Sequence, residues 1–422
     1  MVRSMLHFIR KSPTCFHAVE QTALALERDG YVNLKEESWT LAPGGKYYVT
    51  RGGASLIAFR VPRGTPSGFM VAAAHTDSPC FRLRDRAELP GKYLRLSAER
   101  YGGMINATWL DRPLSIAGRV LVEKDGAVES RLVDFEKDTV LIPNIAIHLN
   151  REMNNSVKYD ANVDLVPVYG MGQPGSFYEA VAELAGCAPE QILGTDLFVY
   201  NNQPGTVWGA EEEFVSSPRL DDLACVYASL QAFLLAGPSQ NIPVLAMFDH
   251  EEIGSQTKQG AGSMFLPDTL QAIAEALDED YRRLLTASLM LSCDNGHGLH
   301  PNHPELADRN EAPMPGSGVI IKHSPRYATD GMAGAVFAGI CKKAGVPVQH
   351  YSNRPDQAGG ATLGNIANTK AAMLTVDIGM AQLAMHSSFE TAAAADVAYL
   401  IRAVQAVLES TLCPDGKRVV LG

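Results

Sequence analysis

Residues 244–255 read VLAMFDHEEIGS, an apolar run that ends in a cluster of charge. A nearly continuous apolar run of this length is typical of a β-strand covered on both faces, as in α/β proteins. The ionisable residues that follow it directly are Asp249, His250, Glu251 and Glu252. Three neighbouring carboxylates at the end of a buried strand repel one another and lose hydration, which is unfavourable unless a cation compensates their charge. The stretch therefore predicts a buried strand and raises the question of what compensates the charge at its end.

Similar strands alternate with helices through much of the chain. Apolar runs recur as FMVAAAH (residues 69–75) and SLMLSCD (288–294), and helical periodicity marks RLDDLACVYASLQAFLLAG (219–237) and GMAGAVFAGICKKAG (331–345). Alternation of buried strands and amphipathic helices predicts an α/β fold with ligands bound outside the carboxyl ends of the strands.

The middle of the chain has a different pattern. YLRLSAERY (residues 93–101) alternates in polarity, Lys124-Asp125-Gly126 is typical of a hairpin turn, and further strand pieces are predicted in TVLIPNIAIHL (139–149). The simplest interpretation is one discontinuous α/β catalytic domain made of residues 1–85 and 210–422, interrupted by a β-rich domain at 86–209.

Composition excludes several classes of protein. The chain has 422 residues, 46% of them hydrophobic, and a formal net charge of -11, with no basic block that could bind nucleic acid. It has no apolar stretch of about 20 residues and no secretory signal at its start, so we expect no membrane association and a cytoplasmic location. Its seven cysteines are scattered without CxxC pairs, which argues against a disulfide framework or a thiolate zinc site.

Histidines and carboxylates gather at the predicted strand ends and at one helix start. Each alone is more often a structural histidine or a helix cap, but together, without cysteine, they suit zinc, cobalt or manganese. Two ions bridged by one carboxylate, each with one further histidine and carboxylate, would use five of these residues. The predicted metal ligands are His75, Asp221, Glu252, Asp294 and His386.

Two carboxylates remain near this predicted centre. Glu251 is suited to act as the general base, because a free carboxylate beside a metal-bound water can accept its proton. Asp77 lies two residues after His75 on the same strand face, where it can hydrogen-bond the second ring nitrogen. A turn or helix-capping role is the alternative for Asp77, and neither Asp249 nor His250 receives a catalytic role.

Six ordered motifs resemble the M18 metallo-aminopeptidases, the aspartyl aminopeptidases. They are AAAHTDSP, SPRLDDL, FDHEEIGS, SCDNGHGLHPN, GVIIKHSPRYAT and MHSSFE, preceded by FIRKSPTCFHA near the start. The resemblance covers essentially the whole chain and is closest to a bacterial-type branch. It implies a mixed-sheet α/β zinc-peptidase catalytic domain, an inserted β-rich dimerisation domain, and a dimer-based homo-oligomer that forms a tetrahedral dodecamer.

The resemblance also implies roles for individual residues. His75, Asp221 and Asp294 would hold one metal, Asp221, Glu252 and His386 the other, and Glu251 would be the base. The residues that it places around the substrate are His297, Lys322, Tyr327 and His148, the last reaching a neighbouring subunit's site. Lys322 would provide the counter-ion for an acidic N-terminal side chain. Departures at Asn295-Gly296 and in RPDQAGGATLG leave the substrate preference open.

The expected function is a dinuclear zinc aminopeptidase that removes an N-terminal residue, preferably Asp or Glu, from peptides. One alternative is an N-acyl amino acid deacylase or another amidohydrolase on the same metal scaffold. The other is a catalytically idle metal-binding scaffold, against which the complete ligand set and Glu251 argue.

Overall fold

The fold is described from a computed structural model, over residues 1–36, 39–357 and 359–422. Glu37, Ser38 and Ala358, the last within the RPDQAGGATLG stretch, lie outside the described residues. The α-helices span Val2–Lys11, Cys15–Arg28, Ser176–Ala185, Leu220–Leu235, Phe265–Ala276, Tyr281–Thr286, Gly331–Ala344, Leu363–Asn368 and Ala394–Glu409. Short 3-10 helices span Asn106–Trp109, Pro189–Gln191, Glu251–Ile253 and Pro304–Leu306.

A mixed sheet of nine strands forms the centre of the molecule and uses both ends of the chain. From edge to edge its strands are Val32–Asn33, Lys46–Arg51, Ser55–Arg60, Ile242–Phe248, Phe69–His75, Leu289–Cys293, Leu374–Gly379, Val319–His323 and Val348–Ser352. The three in the middle, Ile242–Phe248, Phe69–His75 and Leu289–Cys293, run parallel to one another. Their carboxyl ends therefore meet at one edge of the sheet.

The middle strands are apolar on both faces because helices cover both faces. Along Phe69–His75, alternate side chains enter two different hydrophobic clusters, Met70 with the helices Leu220–Leu235 and Ala394–Glu409, and Val71 with Phe265–Ala276. Every residue of Phe69–His75 is buried. The continuous apolar runs in the sequence thus correctly predicted strands enclosed between two layers of helix.

A second sheet is built from antiparallel pairs of strands between residues 80 and 200. In order, its strands are Ile192–Tyr200, Cys80–Leu89, Leu94–Tyr101, Val168–Gly170, Val140–Leu141, Pro113–Lys124 and Ala127–Asp134. Ile192–Tyr200 also pairs with Pro113–Lys124, so the sheet closes on itself around its own core, in which Phe81, Ile116 and Phe177 are buried. The predicted mixed α/β fold with a β-rich region is confirmed.

The strand pieces predicted in the stretch 139–149 are only partly present. Only Val140–Leu141 of the stretch 139–149 is a strand, and the chain then leaves the sheet. Pro143 has no backbone N–H to donate, and both the backbone and the side-chain amide of Asn144 donate to Asp111 instead of to a neighbouring strand. His148, which follows, lies in an exposed turn.

Two smaller sheets complete the described structure. The first contains Thr206–Trp208, Phe214–Ser217, Glu390–Ala393, Ala381–Leu383 and Gly296–His297, in that order, and the second is the hairpin Leu412–Asp415 with Arg418–Leu421. No helix in the described part of the chain is long and apolar enough to cross a membrane.

Candidate metal centre

The predicted ligands reach one place from several elements of the fold. His75 ends the strand Phe69–His75, and Asp294 directly follows the neighbouring strand Leu289–Cys293. Glu252 follows the strand Ile242–Phe248 through His250, whose left-handed backbone (φ 63°) starts the short helix Glu251–Ile253. Asp221 lies at the start of the helix Leu220–Leu235, in a stretch with non-helical torsions. His386 comes from the loop after the strand Ala381–Leu383.

The side chains form three overlapping groups. Two of them share Asp221, and the third consists of His75, Glu251 and Glu252. One potential ligand atom from each member of a group lies within 4.8 Å of those of the others. We call His75, Asp221, Asp222 and Asp294 the inner group, and Asp221, Glu252 and His386 the outer group. All inner residues are buried, whereas the outer histidine has a side chain that is 31% exposed. Asp221 is therefore placed to bridge two sites.

The spacing within these groups fits divalent cations. Nε2 of His75 lies 3.4 Å from Oδ1 of Asp221, and Nε2 of His386 lies 3.5 Å from both Oδ2 of Asp221 and Oε1 of Glu252. Donor atoms bound tetrahedrally to zinc at about 2.0–2.1 Å are roughly 3.3 Å apart. These distances are long for hydrogen bonds but suit atoms that share a cation.

Buried carboxylate oxygens without partners support the same interpretation. Over the described residues, Oδ1 of Asp221, Oδ1 of Asp222 and Oε1 of Glu252 are buried and have no hydrogen-bond partner. An unpaired buried carboxylate oxygen is strongly unfavourable, so such atoms call for a ligand. Three of them in one cluster fit a metal centre better than a purely structural network.

The electrostatics of the cluster indicate an excess of buried negative charge. Burial raises the pKa of Glu252 and of Asp222 well above the ordinary values, and raises that of Glu251 to about 8. Burial opposes protonation of His386, but the nearby carboxylates of Asp221 and Glu252 outweigh it and raise its pKa to about 10. Without a metal, protons would provide the positive charge that the carboxylates require.

Asp77 joins the two halves of the centre. Its Oδ1 and Oδ2 accept hydrogen bonds from the backbone N–H groups of Glu251 and Glu252, each at 3.1 Å. Nδ1 of His75 lies 3.1 Å from the backbone oxygen of Asp77 and 3.4 Å from its Oδ1. Asp77 thus contacts the second ring nitrogen of His75 and also caps the short helix that carries Glu251, so both roles considered for it have contacts.

Sequence reasoning missed two residues of this centre. Asp222 is fully buried and its Oδ2 accepts from the backbone N–H of His75 at 3.2 Å. Glu390 is 1% exposed, and its two oxygens accept from the backbone N–H groups of Asp221 at 3.0 Å and His386 at 2.7 Å. Both lie inside motifs already singled out, SPRLDDL and MHSSFE. In the sequence, the only indication of their role was that each is a carboxylate close to a predicted ligand, Asp222 beside Asp221 and Glu390 four residues after His386.

The predicted substrate residues are divided between this centre and the surface. Nζ of Lys322 lies 3.4 Å from Oδ2 of Asp294 and 5.6 Å from the ring centre of Tyr327, and Lys322 is only 2% exposed. Nδ1 of His297 lies 3.4 Å from Oη of Tyr351. No hydrogen bond or ion pair among the described residues joins the exposed His148 to the cluster.

Asp249 and His250 lie behind the ligands. Asp249 is 1% exposed, its backbone N–H donates to Oγ of Ser55, and burial raises the pKa of its carboxyl group to about 8. Nδ1 of His250 lies 3.0 Å from Oγ1 of Thr257. Their contacts are structural, and the turn at His250 carries the chain from the strand to Glu251 and Glu252.

Comparison with known proteins identifies the family. The profile described as "Aminopeptidase I zinc metalloprotease (M18)" matches residues 8–407. The chain belongs to the M18 family. A probable M18 family aminopeptidase 2 of Clostridium novyi is 40% identical over 400 residues, which are 91% of this chain and 92% of that protein. Its namesake in Clostridium acetobutylicum is 41% identical over 415 residues, covering 94% and 96%.

Solved structures agree with this M18 assignment. A chain in the cryo-EM structure of the Ape4 and Nbr1 complex is 32% identical, with a TM-score of 0.93 and coverage of 97% of this chain and 85% of that one. The crystal structure of prApe1 is 28% identical, with a TM-score of 0.91 and coverage of 96% and 94%. The predicted family and activity class are confirmed: the chain is a metallo-aminopeptidase, a peptide hydrolase.

Proposed function

We propose that this M18 enzyme is a dinuclear zinc aminopeptidase that prefers peptides with an N-terminal Asp or Glu. The observation that carries the proposal is Asp221, whose two carboxylate oxygens face His75 on one side and His386 on the other. In this arrangement His75, Asp221 and Asp294 would hold one ion, and Asp221, Glu252 and His386 would hold the other. Cobalt or manganese could replace zinc with the same ligands.

Bound zinc ions lower the pKa of a water molecule and polarise the scissile carbonyl group. Glu251 would accept a proton from the attacking water and return it to the leaving amine. Burial raises the pKa of Glu251 to about 8 in the metal-free chain, and two neighbouring cations would lower it, so that the carboxylate could accept a proton near neutral pH. Asp77 holds the backbone of Glu251 in place.

The proposed acidic preference depends on Lys322. Its ammonium group is the cation beside Asp294, and the neighbouring charge of Asp294 outweighs burial and raises its pKa, so it stays charged. An acidic side chain that reaches this group would gain a charge-assisted hydrogen bond. Tyr327 and His297 would line the same pocket.

Self-association is the second part of the proposal. One structural relative is described as the S. cerevesiae mApe1 dodecamer, at 28% identity and a TM-score of 0.85. In the β-rich region, Ile145, Ile147 and Leu149 are 50%, 47% and 83% exposed, and exposed apolar residues close together are typical of an interface. His148 lies among them, so assembly of dimers into a dodecamer could bring it to a neighbouring subunit's site. A cytoplasmic location remains a prediction.

The test is zinc content together with a substrate panel. We expect two zinc ions per chain by mass spectrometry, and faster hydrolysis of aspartyl and glutamyl than of leucyl substrates. Faster turnover of N-acylated amino acids would favour the deacylase alternative, whereas one ion per chain would contradict the dinuclear centre.

A further inference from the structure

We propose that residues 101–103, at the end of a strand of the β-rich sheet, are a positioning element of the metal centre. The strand Leu94–Tyr101 belongs to the closed sheet, not to the central one. Its last residue and the two glycines after it nevertheless contact Asp77, Glu252 and His386. The inference rests on the proposed metal site and gives the β-rich region a role beyond assembly.

Tyr101 holds Asp77 in place. Its hydroxyl group donates to Oδ2 of Asp77 at 2.8 Å, and the residue is only 7% exposed. The ring is fixed by an edge contact with Phe198, with centroids 5.6 Å apart and planes at 83°. Because Asp77 also accepts from the backbone of Glu252, the tyrosine hydroxyl group fixes a carboxylate that links both ligand groups.

Gly102 allows the chain to pass directly over Glu252. Its φ is +75°, in the left-handed region, and a Cβ at this position would lie 3.1 Å from Cβ and 3.2 Å from Oε2 of Glu252. Those distances are shorter than ordinary van der Waals contact, so any side chain would push against the carboxylate. A glycine is therefore required by Glu252 as well as by the backbone.

Gly103 orients His386. Its carbonyl oxygen lies 2.5 Å from Nδ1 of His386, and since a carbonyl can only accept, the proton is on Nδ1 and Nε2 is free for a metal. The next turn adds a second contact, because the backbone N–H of Ile105 donates to the carbonyl of His386 at 3.0 Å. The loop of the β-rich region thus fixes both the tautomer and the backbone of an outer ligand.

Gly102→Ala, compared with Gly126→Ala, tests this inference. Gly126 has nearly the same φ, +77°, in a hairpin of the same sheet, but a Cβ there would have nothing within 4 Å. The strain of a left-handed alanine is thus matched, and only Gly102→Ala would press on Glu252. We expect a competing chelator to remove zinc from the Gly102 variant at a roughly 10- to 100-fold lower concentration, with Gly126→Ala close to wild type.

Tyr101→Phe provides a second variant that keeps the ring. It should also weaken zinc retention and lower kcat more than it raises KM, whereas a purely structural role would lower only the melting temperature. If Gly102→Ala does not fold, Tyr101→Phe decides the question alone. Zinc retention within about twofold of Gly126→Ala in every folded variant would overturn the positioning role and leave the proposed function intact. A wild-type chain that takes up no zinc would overturn both.

Discussion

The inner and outer ligand groups have similar chemistry but different supports. In the inner group His75 and Asp294 extend from adjacent buried strands of the central sheet, and Lys322 pairs with Asp294. In the outer group His386 is 31% exposed and is held by Gly103 from the β-rich region and by Glu390 from a third sheet. A packed sheet gives a stiff site, whereas loops from separate sheets give one that opens more easily. We therefore expect the outer ion to exchange first.

Glu251→Gln should have the largest effect on activity, because it removes the proposed general base and leaves every proposed metal ligand unchanged. The amide cannot accept the proton of the attacking water, so kcat should fall on the order of 10²- to 10⁴-fold. Zinc content should stay near that of the wild type, since Glu251 is not a proposed ligand. Measured kcat and zinc stoichiometry check this prediction. Near-normal kcat would remove Glu251 as the base, and loss of zinc would make it a ligand.

Glu390→Gln should weaken the outer group more than the inner group, because Glu390 contacts His386 as well as the shared Asp221. Glu390 accepts hydrogen bonds from two backbone N–H groups, those of Asp221 and His386. In the variant, one of these groups would face the side-chain amide N–H of glutamine instead of an oxygen. The expected loss of zinc affinity is about 10- to 100-fold for one ion, with the second ion retained. Chelator titration with zinc analysis would resolve the two ions.

Asp396→Asn is the matched control for Glu390→Gln. Asp396 is also fully buried and accepts from two backbone N–H groups, those of Gly316 and Gly318, but it contacts no proposed ligand. It should lower the melting temperature without changing zinc affinity. If both variants lose zinc equally, the effect is general destabilisation and the difference between the groups disappears.

The two groups also differ in how far the sequence could predict them. His75 and Asp294 are direct consequences of apolar runs that end in ionisable residues, because parallel strands bring their ends together. The contacts of Gly103 and Glu390 depend on how separate sheets pack, which has no signature in local periodicity. The same limit explains the stretch 139–149, where Pro143 and the bonds of Asn144 to Asp111 outweighed an apolar pattern.

Lys322→Met tests whether the cation beside the inner group sets the preference for acidic substrates. Removing the ammonium group should raise KM for aspartyl and glutamyl substrates about tenfold, the equivalent of one charge-assisted hydrogen bond, with little change for leucyl substrates. Steady-state kinetics on the three substrates check it. An equal loss on all three would mean that Lys322 acts only on Asp294, through the ion pair of 3.4 Å.

The smallest expected effect is the pH dependence of stability, which depends on whether protons or cations compensate the charge of the two ligand groups. Burial raises the pKa of Glu251 and of Glu390 to about 8, so in the metal-free chain the folded state holds protons that the unfolded state has released. His386, with a pKa raised to about 10, extends this window upwards. The metal-free chain should therefore become less stable as pH rises from about 6 to about 9. We expect its melting temperature to fall by an amount on the order of several degrees.

Zinc should reduce this pH dependence, because cations then replace the protons as compensating charge. Calorimetry of zinc-loaded and chelator-treated chains at about pH 6 and about pH 9 compares the two. A smaller loss is expected in the zinc-loaded chain. An equal decrease in melting temperature with and without zinc would contradict this prediction. It would mean that metal binding does not change the number of protons released on unfolding, so that the raised pKa values reflect burial alone.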